Sequence, residues 1–320
     1  MTWTGSRIAH GYKAKLDAYG GVRGALRTFS PLELIDSGLR ETWLRVGSLV
    51  WRLLPGRKRM KYGILEALLF PLYDQWLRYE KVVDAIREAN LQGPLRILEV
   101  GCGTSGIVLF LKPGAARVCL TDQTNANVIP FHCAAAQYVR ADACRLPFAD
   151  SSFPVVISVD TLEHIPRAAR AAFFSELKRV ASEMVILVCP LDSGDGSFQA
   201  PACDEQLRCD LRRAGRRVPQ WLEEHLGWGH PTVEEVTEMF PGARIEGWQN
   251  CGTWMRFQPL FRRPFCWFFA GVSFVLSAKK TDDVPPYYRG LCVWRKEPVA
   301  SRATCSSSEM DAGVLSPPLG

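Results

Sequence analysis

A glycine-rich run in the middle of the chain is the segment best suited to hold a nucleotide-like ligand. It extends from Ile97 to Gly106 and reads ILEVGCGTSG, an apolar stretch followed by three glycines. Because glycine has no side chain, a ligand can approach the backbone closely at Gly101 and Gly103. A helix that begins after this turn would offer unpaired N–H groups to polar or anionic atoms. The pattern alone is weak evidence, since many glycine turns bind nothing.

Two acidic residues come later in the chain at positions that suit the same ligand. Asp122, with Gln123 after it, ends the next apolar run about 20 residues after the turn, where a carboxylate can accept hydrogen bonds from a ribose diol. Asp142 and Ala143 come after a third apolar run. A carboxylate there can accept a hydrogen bond from the amine of adenine. A nicotinamide-dependent dehydrogenase fits these residues equally well.

The stretch from Arg145 to Pro166 separates the two interpretations. It reads RLPFADSSFPVVISVDTLEHIP and has no counterpart in the dehydrogenase pattern. Together with the glycine turn it resembles the class I S-adenosylmethionine-dependent methyltransferases, in particular the type 11 group that includes ubiquinone and menaquinone biosynthesis enzymes. Pro154 departs from that family, whose members commonly carry aspartate there. We expect the fold to tolerate it, because a proline at a strand start removes only one hydrogen-bond donor.

The resemblance implies a fold, a cofactor and a set of contacts. The fold is an α/β, Rossmann-like sheet of seven strands with helices on both faces and an antiparallel last strand, and the cofactor is S-adenosylmethionine. Glu99 would lie near the methionine end of the cofactor, Asp122 at the ribose and Asp142 at the adenine amine. Asp160 would face the cleft near the transferred methyl group. The remaining predicted cofactor residues are Gly101, Cys102, Gly103, Gln123 and Ala143.

Three histidines are candidates for a general base, which a hydroxyl acceptor would need. His164 comes directly after Glu163, beyond the fourth predicted strand, where shaping the turn is the alternative role. His225 and His230 lie in an aromatic-rich loop expected over the carboxyl edge of the sheet, where capping or packing is the alternative. We expect no metal, because the spacings of cysteine, histidine and acidic residues in 203–230 match no zinc pattern.

Short apolar runs and helical periodicity predict the elements that position these residues. The predicted strands are Arg96–Val100, Arg117–Thr121, Gln137–Arg140, Val155–Val159, Met184–Cys189, Ala243–Trp248 and Gly290–Arg295. The predicted helices are Leu39–Leu54, Tyr62–Phe70, Leu72–Ala89, Ser105–Leu111, Arg167–Ala181 and Thr232–Phe240. In the third helix, an apolar stripe should pack against the segment that comes next in the chain; it comprises Leu72, Trp76, Tyr79, Val83 and Ile86.

The elements divide the chain into three parts. Residues 1–92 are predicted to be an N-terminal helical extension, 93–297 the cofactor-binding domain and 298–320 a disordered tail. Within the domain, 191–230 is too long for a simple connection and is predicted to be an insertion over the active site. Residues 259–280 are predicted to be an apolar helical segment.

Composition excludes several classes of protein. The 320 residues are 47% hydrophobic and 22% charged, which is ordinary for a globular chain. The net charge of +6 is mild, and the basic residues are spread out except for two groups at 57–61 and 208–217, so we expect no nucleic-acid partner. Eleven cysteines without a CxxC pair and a start without a secretory core predict reduced thiols and a cytoplasmic protein. The apolar run 264–278, which has basic residues at both ends, is too short to span a bilayer. We expect a buried or interfacial helix there, and peripheral membrane contact stays open.

The sequence thus predicts a methyltransferase that acts on a small-molecule, glycan or lipid-linked acceptor. A nicotinamide-dependent oxidoreductase and a non-catalytic binding module with the same fold are the alternatives. The acceptor atom and the oligomeric state remain open, because substrate identity in this fold depends on variable segments rather than on the cofactor half.

Overall fold

The structure is a computed structural model that describes residues 31–54, 61–70, 73–92, 94–103, 106–112, 114–123, 136–262 and 265–297. The tail 298–320, for which we predict disorder, lies outside these ranges. So do the first thirty residues of the N-terminal extension and the first residue of the apolar run 264–278.

One sheet of seven strands organises the described chain. The strands are β1 (Arg96–Val100), β2 (Arg117–Asp122), β3 (Ala136–Arg140), β4 (Phe153–Val159), β5 (Ala181–Pro190), β6 (Arg244–Asn250) and β7 (Tyr287–Arg295). Their order is β3-β2-β1-β4-β5-β7-β6. Strands β1 to β5 pair in parallel, whereas β7 is antiparallel to both β5 and β6. The predicted sheet with an antiparallel last strand is confirmed.

The central strands explain why apolar runs identified the sheet so directly. Strands β1, β4 and β5 are buried at nearly every position, so both faces of the sheet need apolar side chains. Pro154 lies at the start of β4, and the pairing with β5 shifts register there, between Phe153 and Val155. The irregularity is confined to the strand start, so the sheet accommodates the proline as expected.

The helices of the structure cover both faces of this sheet. They are α1 (Pro31–Leu53), α2 (Ile64–Leu69), α3 (Tyr73–Glu88), α4 (Arg170–Val180), α5 (Ala200–Arg213), α6 (Gln220–Trp228), α7 (Val233–Met239), α8 (Cys251–Arg262) and α9 (Trp267–Ser277). Trp76, Tyr79, Val83 and Ile86 of α3 are buried, as the apolar stripe predicts. They share one core with the sheet and with Phe274 of α9, so the N-terminal helices pack directly on the sheet.

The prediction of a helix at Ser105–Leu111 is wrong for the part that the structure describes. Only a single 3-10 turn, Ile107–Leu109, comes after the glycines. Gly106 has a φ of 72°, outside the helical region, and the Ile107 N–H donates to the Glu99 carboxylate at 2.6 Å. The turn therefore begins with its first amide already satisfied, and the amide is not available to a ligand.

The segment 191–230 forms two helices rather than a loop. Leu207 of α5 and Leu222 of α6 pack with Trp254 of α8 and Tyr288 of β7 in a core of their own. The predicted aromatic-rich loop over the carboxyl edge is thus helical, with His225 inside α6 and His230 just after it. The helices α5, α6 and α8 consequently wall one side of that edge.

Candidate active site

The glycine turn lies at the carboxyl end of β1, and two of its glycines differ in what surrounds them. Gly101 and Gly103 have φ values of 76° and 55°, which favour glycine. A Cβ at Gly101 would lie 2.1 Å from the Thr161 side-chain oxygen, so this glycine is required by protein packing. Among the described residues, none comes within 4 Å of a Cβ placed at Gly103. In the described chain, the space beside Gly103 is therefore open to a ligand.

The two predicted acids line up beside the turn because β1, β2 and β3 are neighbours in the sheet. Asp122 ends β2 and accepts a hydrogen bond from the Gly103 N–H at 2.9 Å. Asp142 lies just after β3, is exposed, and accepts from the Cys144 N–H at 2.9 Å. Beside it Ala143 is buried. The turn and the two carboxylates form a row along one edge, which suits an elongated nucleoside ligand.

Two further predicted cofactor residues have contacts that are now defined. Gln123 is exposed, and its carbonyl oxygen accepts from Arg140. The Cys102 thiol is buried and donates to the Gly103 carbonyl at 3.6 Å. Their contact with a cofactor stays a prediction.

Glu99 is a fully buried carboxylate that shapes the turn. Its two oxygens accept hydrogen bonds from the Tyr79 hydroxyl of α3 at 2.8 Å and from the Ile107 N–H at 2.6 Å. Burial raises the pKa of Glu99 to about 7. Both oxygens already have protein donors, so the structure assigns Glu99 to holding α3 and the turn together. A direct contact with the methionine end of the cofactor stays a prediction.

Asp160 ends β4 in a left-handed conformation, with a φ of 48°. Arg289 of β7 donates to its carboxylate at 2.6 Å, and Arg78 of α3 lies 3.1 Å from the same carboxylate. Burial opposes ionisation, but the two guanidiniums outweigh it and hold the pKa of Asp160 below its usual value. The predicted cleft residue is thus a charged anchor for two arginines.

Arg289 is a buried residue of the cavity lining that sequence reasoning missed. It is 3% exposed and also pairs with Asp74 of α3 at 3.0 Å and with the Gln249 amide of β6. The available signal was a single arginine inside the otherwise apolar strand β7. Its partners could not be found without the fold.

Asp204 of α5 is a second missed residue and the hub of a buried network. It accepts hydrogen bonds from His225 at 2.7 Å, from His230 at 2.9 Å and from the Tyr288 hydroxyl at 2.9 Å. Burial opposes its ionisation, but the two histidines outweigh burial and lower the pKa of Asp204. The network fixes the ring orientation of both histidines.

His164 and His225, which are 61 residues apart in sequence, meet at the carboxyl edge. The His164 Nδ1 lies 2.8 Å from the Glu224 carboxylate, and the two Nε2 atoms are 3.3 Å apart. Burial, the largest effect, lowers the pKa of His225. The carboxylate of Glu163 lies beside the pair, with one oxygen 4.0 Å from the His225 Nε2.

A cavity of about 480 Å³ opens beside this pair. Its lining is mostly charged or aromatic and includes Arg40, Asp160, Glu163, His164, His225, Trp254 and Arg289. Among the described residues, His230 is not part of the lining, so of the three candidate bases only His164 and His225 reach the cavity. The indole N–H of Trp254 and both oxygens of Glu163 are buried without a hydrogen-bond partner in the described chain. Such groups are costly in a dry interior and suit a site that binds a polar ligand.

Comparison with known proteins identifies the part of the chain that carries the glycine turn. Residues 98–189 match the methyltransferase domain family of type 11. This part of the chain is a class I methyltransferase domain. S-adenosylmethionine is the cofactor of this class. The open space at Gly103, flanked by Asp122 and Asp142, fits its adenosine part.

Two curated relatives resemble the chain over part of their length. A probable phthiotriol/phenolphthiotriol dimycocerosates methyltransferase 2 from Mycobacterium ulcerans is 35% identical over 99 residues, which is 29% of this chain and 37% of that protein. The malonyl-[acyl-carrier protein] O-methyltransferase of Geobacter sulfurreducens is 31% identical over 136 residues, which is 40% of this chain and 47% of that protein. The chain spans less than half the length of either.

Among solved structures, the chain is similar to the phosphoethanolamine N-methyltransferase 2 of Haemonchus contortus in complex with S-adenosyl-L-methionine. The two are 17% identical with a TM-score of 0.42, over 67% of this chain and 51% of the other.

The buried carboxyl of Glu99 makes folding stability depend on pH. Its pKa is raised from 4.5 to about 7 in the folded chain, so the stabilising effect is present below about pH 4.5 and is lost as the pH rises through 7. The loss amounts to about 3 kcal/mol. Glu99→Gln, which stays neutral, should remove this part of the pH dependence. Urea unfolding at about pH 5 and about pH 8.5 measures it.

The matched control is Glu238→Gln, which changes an exposed glutamate of α7 and should keep the wild-type pH dependence. Equal pH dependence in wild type and Glu99→Gln would contradict the assignment of a raised pKa to Glu99.

Proposed function

We propose that this chain transfers a methyl group from S-adenosylmethionine to a small-molecule or lipid-linked acceptor bound in the cavity beside His164 and His225. The observation that best supports this proposal is the contact between the glycine turn and the wall of the cavity. The Thr161 hydroxyl donates to the Gly101 carbonyl at 3.3 Å, and its neighbour Asp160 lines the cavity. This contact supports a single cleft that includes both the cofactor edge and the cavity.

The residues that would hold the cofactor are those in the row along the carboxyl edge. Asp122 would accept hydrogen bonds from the ribose and Asp142 from the adenine amine, with the ligand against Gly103. When bound, S-adenosylmethionine supplies a sulfonium methyl that is already activated for transfer. The chain itself would contribute positioning of the acceptor and exclusion of water. The buried walls formed by α3, α6 and α8 suit that task.

The lining of the cavity supports an acceptor with polar groups, because it includes the guanidinium of Arg40 and the imidazoles of His164 and His225. The names of the curated relatives, a dimycocerosates methyltransferase and an acyl-carrier-protein O-methyltransferase, support an acceptor attached to a lipid or acyl chain. A glycan acceptor fits the polar lining as well. The family match favours this function over a nicotinamide-dependent oxidoreductase.

We propose that the protein encounters such an acceptor at a lipid surface. Large apolar side chains of α1 are exposed along one helical stripe: Leu32, Ile35, Leu39, Trp43, Val46, Leu49 and Leu53. The stripe continues onto α9, where Trp43 contacts Phe268 with ring centroids 5.0 Å apart and where Phe269 and Leu276 are 70% and 71% exposed. So large an apolar surface is unusual on a monomer and suits an interface with lipid. In the described chain, no helix combines the length and hydropathy that crossing a bilayer requires.

Cofactor binding is tested by isothermal titration with S-adenosylhomocysteine, for which we expect micromolar affinity in the wild type. Asp122→Asn keeps an oxygen for the Gly103 N–H but removes the charge that would accept from the ribose. Loss of a hydrogen bond to a charged group costs about 1.5–3 kcal/mol, so binding should weaken about tenfold or more.

The control is Asp150→Asn, which changes an exposed carboxylate just before the amino end of β4. This variant should bind S-adenosylhomocysteine as the wild type does. Absence of binding to the wild type, or equal affinity in Asp122→Asn, would refute the cofactor site. Bound cofactor without turnover on any lipid-linked or small-molecule acceptor would instead support a non-catalytic binding module.

Lipid contact is tested by co-sedimentation with anionic vesicles of phosphatidylglycerol and phosphatidylcholine. The double variant Phe269→Asp, Leu276→Asp changes two exposed side chains of α9 and should reduce pelleting strongly. Val284→Asp, an exposed apolar position outside these helices, should not. Equal pelleting of all three proteins, or a stable dimer that fails to pellet, would contradict the lipid interface.

A further inference from the structure

The two imidazoles at the cavity are oriented so that their Nε2 atoms face each other. Each Nδ1 lies within hydrogen-bonding distance of a carboxylate, that of His164 at 2.8 Å from Glu224 and that of His225 at 2.7 Å from Asp204. A carboxylate only accepts, so each Nδ1 carries a proton, and an imidazole without a second proton presents a lone pair at Nε2. Two lone pairs 3.3 Å apart repel each other unless a proton or a metal cation lies between them.

Glu163 supplies a carboxyl group at the same point. Its carboxylate is fully buried, and neither oxygen has a hydrogen-bond partner in the described chain. The ligand atoms of Glu163, His164 and His225 all lie within 4.8 Å of one another. A buried carboxylate left without a partner is costly, and a bound cation would offset that cost.

From this geometry we infer that Glu163, His164 and His225 bind a divalent transition-metal ion at the inner end of the cavity. Metal–nitrogen bonds of about 2.0–2.1 Å at a tetrahedral angle separate two nitrogens by about 3.4 Å. The observed separation of the Nε2 atoms is 3.3 Å. Two imidazoles and one carboxylate favour ions such as Zn²⁺, Fe²⁺ or Co²⁺ over Mg²⁺ and Ca²⁺.

The surrounding carboxylates have the arrangement that metal-binding histidines need. Glu224 and Asp204 accept from the outer nitrogen of each imidazole, which fixes the tautomer and raises the basicity of the inner nitrogen. A second group of possible ligands, Asp204, His225 and His230, is less suitable. Asp204 already accepts three hydrogen bonds there, so its oxygens serve as outer partners.

Three protein ligands leave a coordination position open towards the cavity. That position would take an oxygen atom of the acceptor, such as a hydroxyl, carboxylate or phosphate oxygen, and a part of the inference therefore rests on the proposed function. The metal would then orient this oxygen and lower the pKa of a hydroxyl. The expectation of no metal came from spacings within 203–230, whereas two of these three ligands lie in the turn after β4.

The test uses the full chain, freed of metal with a chelator and titrated with Co²⁺ and Zn²⁺ by calorimetry and absorption. We expect one ion per chain and the visible bands of Co²⁺ bound to nitrogen and oxygen, without a thiolate charge-transfer band. Glu163→Gln and His164→Ala should each weaken binding about a hundredfold or more, because even loss of an outer hydrogen bond costs about 10–100-fold. Glu238→Gln, an exposed glutamate, is the matched control and should leave the affinity unchanged.

Absence of stoichiometric binding overturns the inference, as does unchanged affinity in both ligand variants or a thiolate band. Circular dichroism of the metal-free variants shows whether each is folded. If only one variant is folded, the metal affinity of that variant decides the test. S-adenosylhomocysteine binding is measured on the same metal-free protein. Loss of the metal site with intact cofactor binding refutes the metal alone, whereas absence of cofactor binding refutes the proposed function.

Discussion

The cleft depends on the ion pairs and the hydrogen bond made by one buried guanidinium, that of Arg289. It joins Asp160 at the end of β4, Asp74 of α3 and Gln249 of β6 to the antiparallel strand β7. Removing one partner of a buried ion pair costs about 3–5 kcal/mol, because the remaining charge is left unpaired. Without Arg289 the buried carboxylates of Asp160 and Asp74 would share Arg78 as their cationic partner. The wall of the cavity would then lose its fixed shape.

Helix α3 extends this constraint to the cofactor edge. Its Arg78 pairs with Asp160 and with Asp74 of the same helix, while its Tyr79 donates to Glu99 under the glycine turn. One helix from the N-terminal extension thus positions both halves of the cleft. Residues of the extension therefore line the cavity, and its boundary at residue 92 stays a prediction. The same arrangement explains why Glu99 is buried and hydrogen-bonded on both oxygens.

The sequence was sufficient for the strands but not for the long-range contacts. Strands β1, β4 and β5 are apolar on both faces, and that property is visible as continuous apolar runs. The prediction of a helix at Ser105–Leu111 is wrong because Glu99, a residue of the preceding strand, accepts from the Ile107 N–H where the 3-10 turn begins. Arg289 and Asp160 are 129 residues apart, and no local periodicity relates them. The sequence identified both histidines as candidates, but the distance between them and the orientation of their rings depend on the fold.

We propose that one cleft holds both the cofactor and the acceptor, and a crystal structure with S-adenosylhomocysteine would show whether it does. We expect the ribose at Asp122, the adenine beside Asp142 and Ala143, and the sulfur directed towards the cavity between Asp160 and His164. A ligand bound elsewhere on the chain, or one whose sulfur points away from that cavity, would show that the chain has no such cleft.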